Sequence, residues 1–133
     1  MKKVMVFGTF DLLHPGHEYF LKEAKKRGDF LTVVVARDST VLEVKSRLPQ
    51  ESEIERLEKI RNLAYVDRAI LGSAGKDKYG IVRKEKPDVI CLGYDQEAFV
   101  KGLEGVCKCS IVRLKPHEPH KYKTSKLREH ANL

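Results

Sequence analysis

"VFGTFDLLHPGHEYFLKEAKKRGD", residues 6–29, leaves an apolar run, passes through a short turn and sets His14 and His17 around Pro15 and Gly16. The apolar run from Lys3 to Phe7 reads as a strand. Pro15 suits the first turn of a helix, where a missing N–H costs nothing. Tyr19, Phe20, Leu21 and Ala24 then mark one apolar helix face, and Lys25-Lys26-Arg27 with Gly28 reads as its stop signal. The stretch predicts a strand that turns into a helix, with two imidazoles at the junction.

The same alternation runs along the chain. Apolar runs at Phe30 to Ala36, Arg68 to Leu71, Val89 to Leu92 and Ser110 to Leu114 lack clean polar alternation, as strands buried on both faces do. Between them lie helical patterns. Ser52 to Leu63 places Ile54, Leu57, Ile60 and Leu63 three residues apart, and Lys78 to Lys86 and Thr124 to Ala131 add two more candidates. Strand alternating with helix implies an α/β fold, an open parallel sheet with right-handed crossovers and helices on both faces. Ligands of such sheets collect at the carboxyl ends of the strands. Residues 8–17 follow the first strand and so belong to that edge.

Composition narrows the function classes. With 133 residues, of which 41% are apolar and 34% charged, the chain has the size and balance of one folded domain. A formal charge of +7 favours anionic partners, yet the basic residues are spread out and form no nucleic-acid-binding arm. Cys91, Cys107 and Cys109 do not make a disulfide scaffold; Cys91 sits in the apolar run "DVICLG", and "VCKCS" lacks the two-residue spacing and the second pair typical of a zinc site. The opening "KKVMVFG" is too short for a signal peptide, and no run of about 18 apolar residues occurs. These features predict a cytoplasmic protein with no membrane and no nucleic-acid partner.

At a helix start the unpaired N–H groups form an anion site, and three-residue spacing brings His14 and His17 to the same side of the turn. Gly16 lets backbone approach a ligand closely. Two imidazoles there can face one phosphate. The plainer alternative is that His14 caps or packs against the loop and His17 is an exposed helix residue. Zinc is a third reading, but no carboxylate or cysteine lies at a spacing that completes a site, so no protein metal ligands are expected.

"GTFDLLHPGH" resembles the signature of the nucleotidyltransferase superfamily that includes glycerol-3-phosphate cytidylyltransferase, phosphopantetheine adenylyltransferase and the archaeal FAD synthases. His14, Pro15, Gly16 and His17 meet its H-x-G-H element, and Gly8, Thr9, Phe10 and Asp11 its upstream turn. The resemblance implies one Rossmann-like nucleotidyltransferase domain over residues 1–133. It implies that Gly8, Thr9, Phe10 and the H-x-G-H residues bind nucleotide, with His14 and His17 stabilising charge at the α-phosphorus. A divalent cation such as Mg2+ would accompany the triphosphate. A homodimer, common in the superfamily, is compatible with the sequence.

Three further segments extend the resemblance. "VARDSTVLEVKSRLP" is similar to the segment whose lysine approaches the triphosphate, which points to Lys45 with Arg47 as helper; a solvated helix lysine is the alternative. "LGYDQ" implies Asp95 on the ribose or amino group of the nucleotide, or else a helix N-cap. "YKTSKLRE" resembles the closing I-S-T-[ST] motif, implying phosphate contacts from Thr124 and Ser125, with capping as the alternative. Tyr122 stacks on adenine or flavin in this reading, or serves as a hydrophobic staple.

Cytidylyltransferases of the superfamily carry arginines in R-Y-V-D and R-T-E-G-I-S-T segments. Here the first reads Ala64-Tyr65-Val66-Asp67 and the second is replaced by "KPHEPHKYKTS". "VVVARDSTV" and "LGYDQ" instead resemble the archaeal FAD synthases, which transfer AMP from ATP to FMN. ATP and FMN are therefore the expected substrates. Glycerol-3-phosphate cytidylyltransferase is the alternative enzyme, and a non-catalytic nucleotide- or RNA-binding module the alternative of another class.

Overall fold

A computed structural model describes residues 1–73, 79–93, 96, 100–106 and 108–115. Its elements in chain order are β1 (Lys3–Gly8), α1 (Pro15–Lys25), β2 (Phe30–Val35), α2 (Asp38–Lys45), α3 (Glu53–Arg61), β3 (Arg68–Leu71), α4 (Gly80–Glu85), β4 (Val89–Leu92), α5 (Val100–Val106) and β5 (Ser110–Arg113). The strands form one parallel sheet in the order β3-β2-β1-β4-β5. All five expected strands are present within a residue of their expected ends. The expected helix from Thr124 to Ala131 lies outside the described residues.

Alternation along the buried strands sorts the core into two layers. Val4 and Val6 of β1, Leu31, Val33 and Val35 of β2, and Val89 and Cys91 of β4 pack against Phe20, Leu21 and Ala24 of α1 and Leu57 and Ile60 of α3. Met5, Phe7, Val34, Ile90 and Leu92 point the other way and meet Val82 of α4 and Leu103 of α5. Helices therefore cover both faces. Connections from β1 to β3 build the sheet to one side, and the α4 crossover then places β4 on the far side of β1. The switch between β1 and β4 opens a crevice at their carboxyl ends.

Sequence patterning and structure differ in four places. Ile54, expected on the buried face of α3, is 55% exposed, while Arg56 beside Leu57 is 1% exposed. Two helices, α2 and α5, were not expected as elements. Gly28 is not a left-handed cap, since α1 ends at Lys25 with Lys26 in right-handed conformation; a Cβ at Gly28 would lie 2.7 Å from Val4. Cys91 is a buried free thiol whose pKa burial pushes up to about 11. Cys109, just ahead of β5, is disulfide-bonded, which the cysteine spacing did not foretell. No helix among the described residues is long and apolar enough to cross a membrane.

At the amino edge, aspartates placed just before strands accept the first N–H groups of their neighbours. Asp29 takes Lys2 N–H at 2.8 Å, Asp88 takes Lys3 N–H at 2.8 Å and Asp67 takes Leu31 N–H at 2.8 Å. Asp67 also pairs with Lys25 at 2.5 Å, and these two bonds, the lysine first, hold its carboxyl below the ordinary 3.8.

Two outcomes follow from this packing. Leu21→Ala, at a position with 0% exposure, should cost about 2–5 kcal/mol in a urea titration, whereas Ile54→Ser should be near neutral. Asp67→Asn should destabilise above the ordinary carboxyl pKa of 3.8. Because the folded-state pKa is depressed, the wild-type advantage shrinks as pH falls through it, and a gap unchanged down to strongly acidic pH would refute the assignment.

Candidate active site

The turn after β1 is shaped by a ring lying over a glycine. A Cβ on Gly8 would come within 2.6 Å of Phe10 Cζ, so only glycine admits the Phe10 ring at that height. Phe10 is 1% exposed and Thr9 6% exposed. The backbone of Phe10 and Leu12 is left-handed, with φ of 52° and 54°, an unfavourable conformation for side chains of this size.

Charged side chains hold this turn in place. Asp11 accepts the N–H groups of Gln50 and Glu51 at 2.8 and 2.9 Å, and Glu51 returns the contact by accepting Leu12 N–H at 2.9 Å. Lys59 pairs with the other oxygen of Glu51. Below them Arg56 reaches four acceptors: Glu51 carbonyl at 3.0 Å, Thr9 carbonyl at 2.9 Å, Ala36 carbonyl at 2.8 Å and the Asp38 carboxylate at 2.7 Å. The turns after β1 and β2 and the approach to α3 thus meet on one guanidinium.

The histidines form a capping box at the start of α1. His14 is the N-cap, and its Nδ1 accepts Gly16 N–H at 3.1 Å; His17 Nδ1 accepts the His14 N–H at 3.2 Å. Each ring therefore uses Nδ1 as an acceptor, which in the neutral imidazole leaves Nε2 to carry the N–H. The rings stack with centroids 3.7 Å apart, and Phe10 meets His17 edge-on at 5.6 Å. His14 is half-buried. His17 is 0% exposed, so the two imidazoles do not face solvent equally, and His17 is not the exposed helix residue of the plainer reading.

Gln96 closes the other wall of the crevice. Its amide donates to Phe7 carbonyl at 2.9 Å and accepts Gly93 N–H at 2.7 Å, tying the ends of β1 and β4 together. Arg113 donates to the carbonyls of Gly93 and Gln96 at 2.8 and 2.9 Å.

The structure thus gathers Gly8, Thr9, Phe10, His14, Pro15, Gly16 and His17 at one strand-to-helix turn. Lys45 closes α2, roughly 10 Å along that helix from its start at the sheet edge, with Ser46 as a left-handed cap. A cation suits that helix end. Asp95, Tyr122, Thr124 and Ser125 lie outside the described residues. Sequence reasoning missed Arg56, Asp11 as a clamp, and Gln96. For Arg56 the signal was present: residue 56 shares the apolar stripe of Leu57 and Ile60, so a charge there has to find buried partners. Among the described residues no three His, Cys, Asp or Glu side chains converge as a metal cage.

Gly8→Ala should drive the Phe10 ring off its seat and cost about 1–3 kcal/mol in a urea titration. Combining it with Phe10→Leu should be less damaging than the sum of the two single changes. Strict additivity would mean that the ring and the glycine do not meet.

The sequence profile of the cytidylyltransferase-like family matches residues 5–130. An FAD synthase of Aciduliprofundum boonei is 47% identical over 122 residues, spanning 88% of this chain and 80% of that protein. An FAD synthase of Methanosarcina barkeri is 48% identical over 104 residues, spanning 78% and 73% of the two chains. Among solved structures, a lipopolysaccharide core biosynthesis protein from Thermoplasma volcanium superposes with a TM-score of 0.79 at 45% identity, covering 89% of this chain and 99% of that one. The pantoate-beta-alanine ligase of Francisella tularensis, at a TM-score of 0.58 and 17% identity, shares the fold. With the strand-to-helix turn and its histidines set at the sheet's switch point, the chain belongs to the cytidylyltransferase-like nucleotidyltransferases, in the company of the archaeal FAD synthases.

Proposed function

We propose that the chain makes FAD, transferring AMP from ATP to FMN. An oxygen of the FMN phosphate attacks the α-phosphorus of ATP, the bond from that phosphorus to the bridging oxygen breaks, and pyrophosphate leaves. The observation that carries the substrate assignment is the 44–50% identity to FAD synthases across most of the chain. The attacking group is already an anionic phosphate, so no protein base is needed to remove a proton. The enzyme's contribution is position and charge.

His14 donates from Nε2 to the phosphate oxygens while the amino end of α1 adds positive potential. His17 holds His14 by accepting its N–H and by stacking on its ring, and it takes the charge-stabilising role at the α-phosphorus that its motif implies. Gly8, Thr9, Phe10, Pro15 and Gly16 shape the phosphate turn. Lys45 approaches the triphosphate, and Asp95, Tyr122, Thr124 and Ser125 take the nucleoside and phosphate roles that their motifs imply. The divalent cation arrives with ATP as part of the substrate.

The test is pyrophosphate release with ATP or CTP against FMN or glycerol 3-phosphate, with FAD followed by chromatography. Release and FAD formation with ATP and FMN alone are expected; release with CTP and glycerol 3-phosphate would replace this reading with the cytidylyltransferase one. His14→Ala should lower kcat by about 10²–10³-fold with the fold intact. His17→Ala should lower kcat similarly and also reduce thermal stability, because it empties a buried site. Full turnover in either variant would remove that ring from the mechanism.

A further inference from the structure

Arg56 is a cation with 0% side-chain exposure, and the reaction described above leaves it without a task. Four of its five N–H donors are used, three on backbone carbonyls and one on Asp38. Two of those carbonyls, Thr9 and Ala36, follow the carboxyl ends of β1 and β2, which pair in parallel up to Gly8 and Val35. The Ala36 N–H bond to Gly8 carbonyl at 2.9 Å keeps the two turns in register.

A trans peptide carries its carbonyl and its N–H on opposite sides, and no cis bond occurs among the described residues. When Arg56 holds the Thr9 and Ala36 carbonyls, the N–H groups of the next residues, Phe10 and Arg37, are turned away from the guanidinium. Among the described residues neither of these N–H groups meets an acceptor. Phe10 follows the carboxyl end of β1 and Arg37 that of β2, beside the turn that carries the histidines. The site's own chemistry supplies the acceptor: a polyphosphate chain.

We propose that Arg56 is a positioning residue for the nucleoside triphosphate, holding the Thr9 and Ala36 carbonyls so that the Phe10 and Arg37 N–H groups donate to its anionic oxygens. This deepens the nucleotidyltransferase reading and rests on it only in taking a triphosphate as ligand. Lysine cannot substitute. It keeps the charge but lacks the planar fork that spans several acceptors at once.

The test compares wild type and Arg56→Lys for binding of non-hydrolysable analogues of ATP and of CTP by calorimetry, with FMN binding followed by flavin fluorescence. The variant should bind the preferred triphosphate analogue at least tenfold more weakly, with FMN affinity within twofold. A merely structural role would reduce the amount of competent protein and leave the Kd of the folded fraction unchanged; a Kd within twofold of wild type overturns the proposal. If the variant does not fold, wild-type amide spectra decide. The Phe10 and Arg37 amide protons should shift when the analogue is added, and unmoved signals overturn the proposal. Preference for the CTP analogue would sink the FAD synthase reading while leaving the role of Arg56 measurable, and binding of neither analogue would overturn that role too.

Discussion

A guanidinium sealed inside the protein is the constraint on which the candidate site depends. Moving a cation out of water is costly, and the attraction of one carboxylate does not by itself repay the loss. Arg56 offsets it with four hydrogen bonds, the one to the Thr9 carbonyl fully buried and the others, to Glu51, Ala36 and Asp38, partly so. Glu51, Thr9, Ala36 and Asp38 come from three separate turns, so the solution is cooperative. Losing the guanidinium would strip three carbonyls and a carboxylate of a donor at once. Its bond to Thr9, together with the Asp11 and Glu51 clamps, fixes the turn in which Phe10 and Leu12 take left-handed conformations.

The histidine pair obeys a similar logic on a smaller scale. A capping box normally uses a hydroxyl and a carboxylate; here two imidazoles fill both positions. The consequence is chemical as well as structural. Capping consumes Nδ1 of each ring, orients both rings through one turn of helix, and puts the remaining N–H at Nε2. The helix start then needs no other cap, and the imidazoles are held by backbone whose position the β1–α1 junction sets.

How much of this was legible in the sequence depends on what kind of force placed each residue. The strands stood out because Val4 to Phe7, Leu31 to Val35 and Val89 to Leu92 are buried on both faces and so are apolar throughout. The junction at His14 to His17 stood out because proline and glycine mark it. In α2, by contrast, Val41 is the one buried residue, Leu42 and Val44 are about half exposed, and no stripe announces a helix. Two glycines hide α5 in the same way. Arg56 was hidden by the habit of reading charge as surface. Its partners are mostly carbonyls, which every residue owns, so no motif can point to them. Asp11 and Glu51 were obscure for a related reason: residues 39 and 40 positions apart exchange backbone contacts that only the folded turn creates.

The two edges of the sheet pose opposite problems for the backbone. Parallel strands all point the same way, so one edge ends in N–H groups and the other in carbonyls. At the amino edge the N–H groups are met by Asp29, Asp67 and Asp88. At the carboxyl edge the carbonyls call for donors, and Arg37 on Gly72, Arg56 on Thr9 and Ala36, Gln96 on Phe7 and Arg113 on Gly93 supply them. Three of those four donors are arginines, and two of them, Arg56 and Arg37, are also paired with carboxylates, Asp38 and Glu53. The donors of this edge thus follow from parallel strand direction, and the two imidazoles join them through a separate need, the capping of α1.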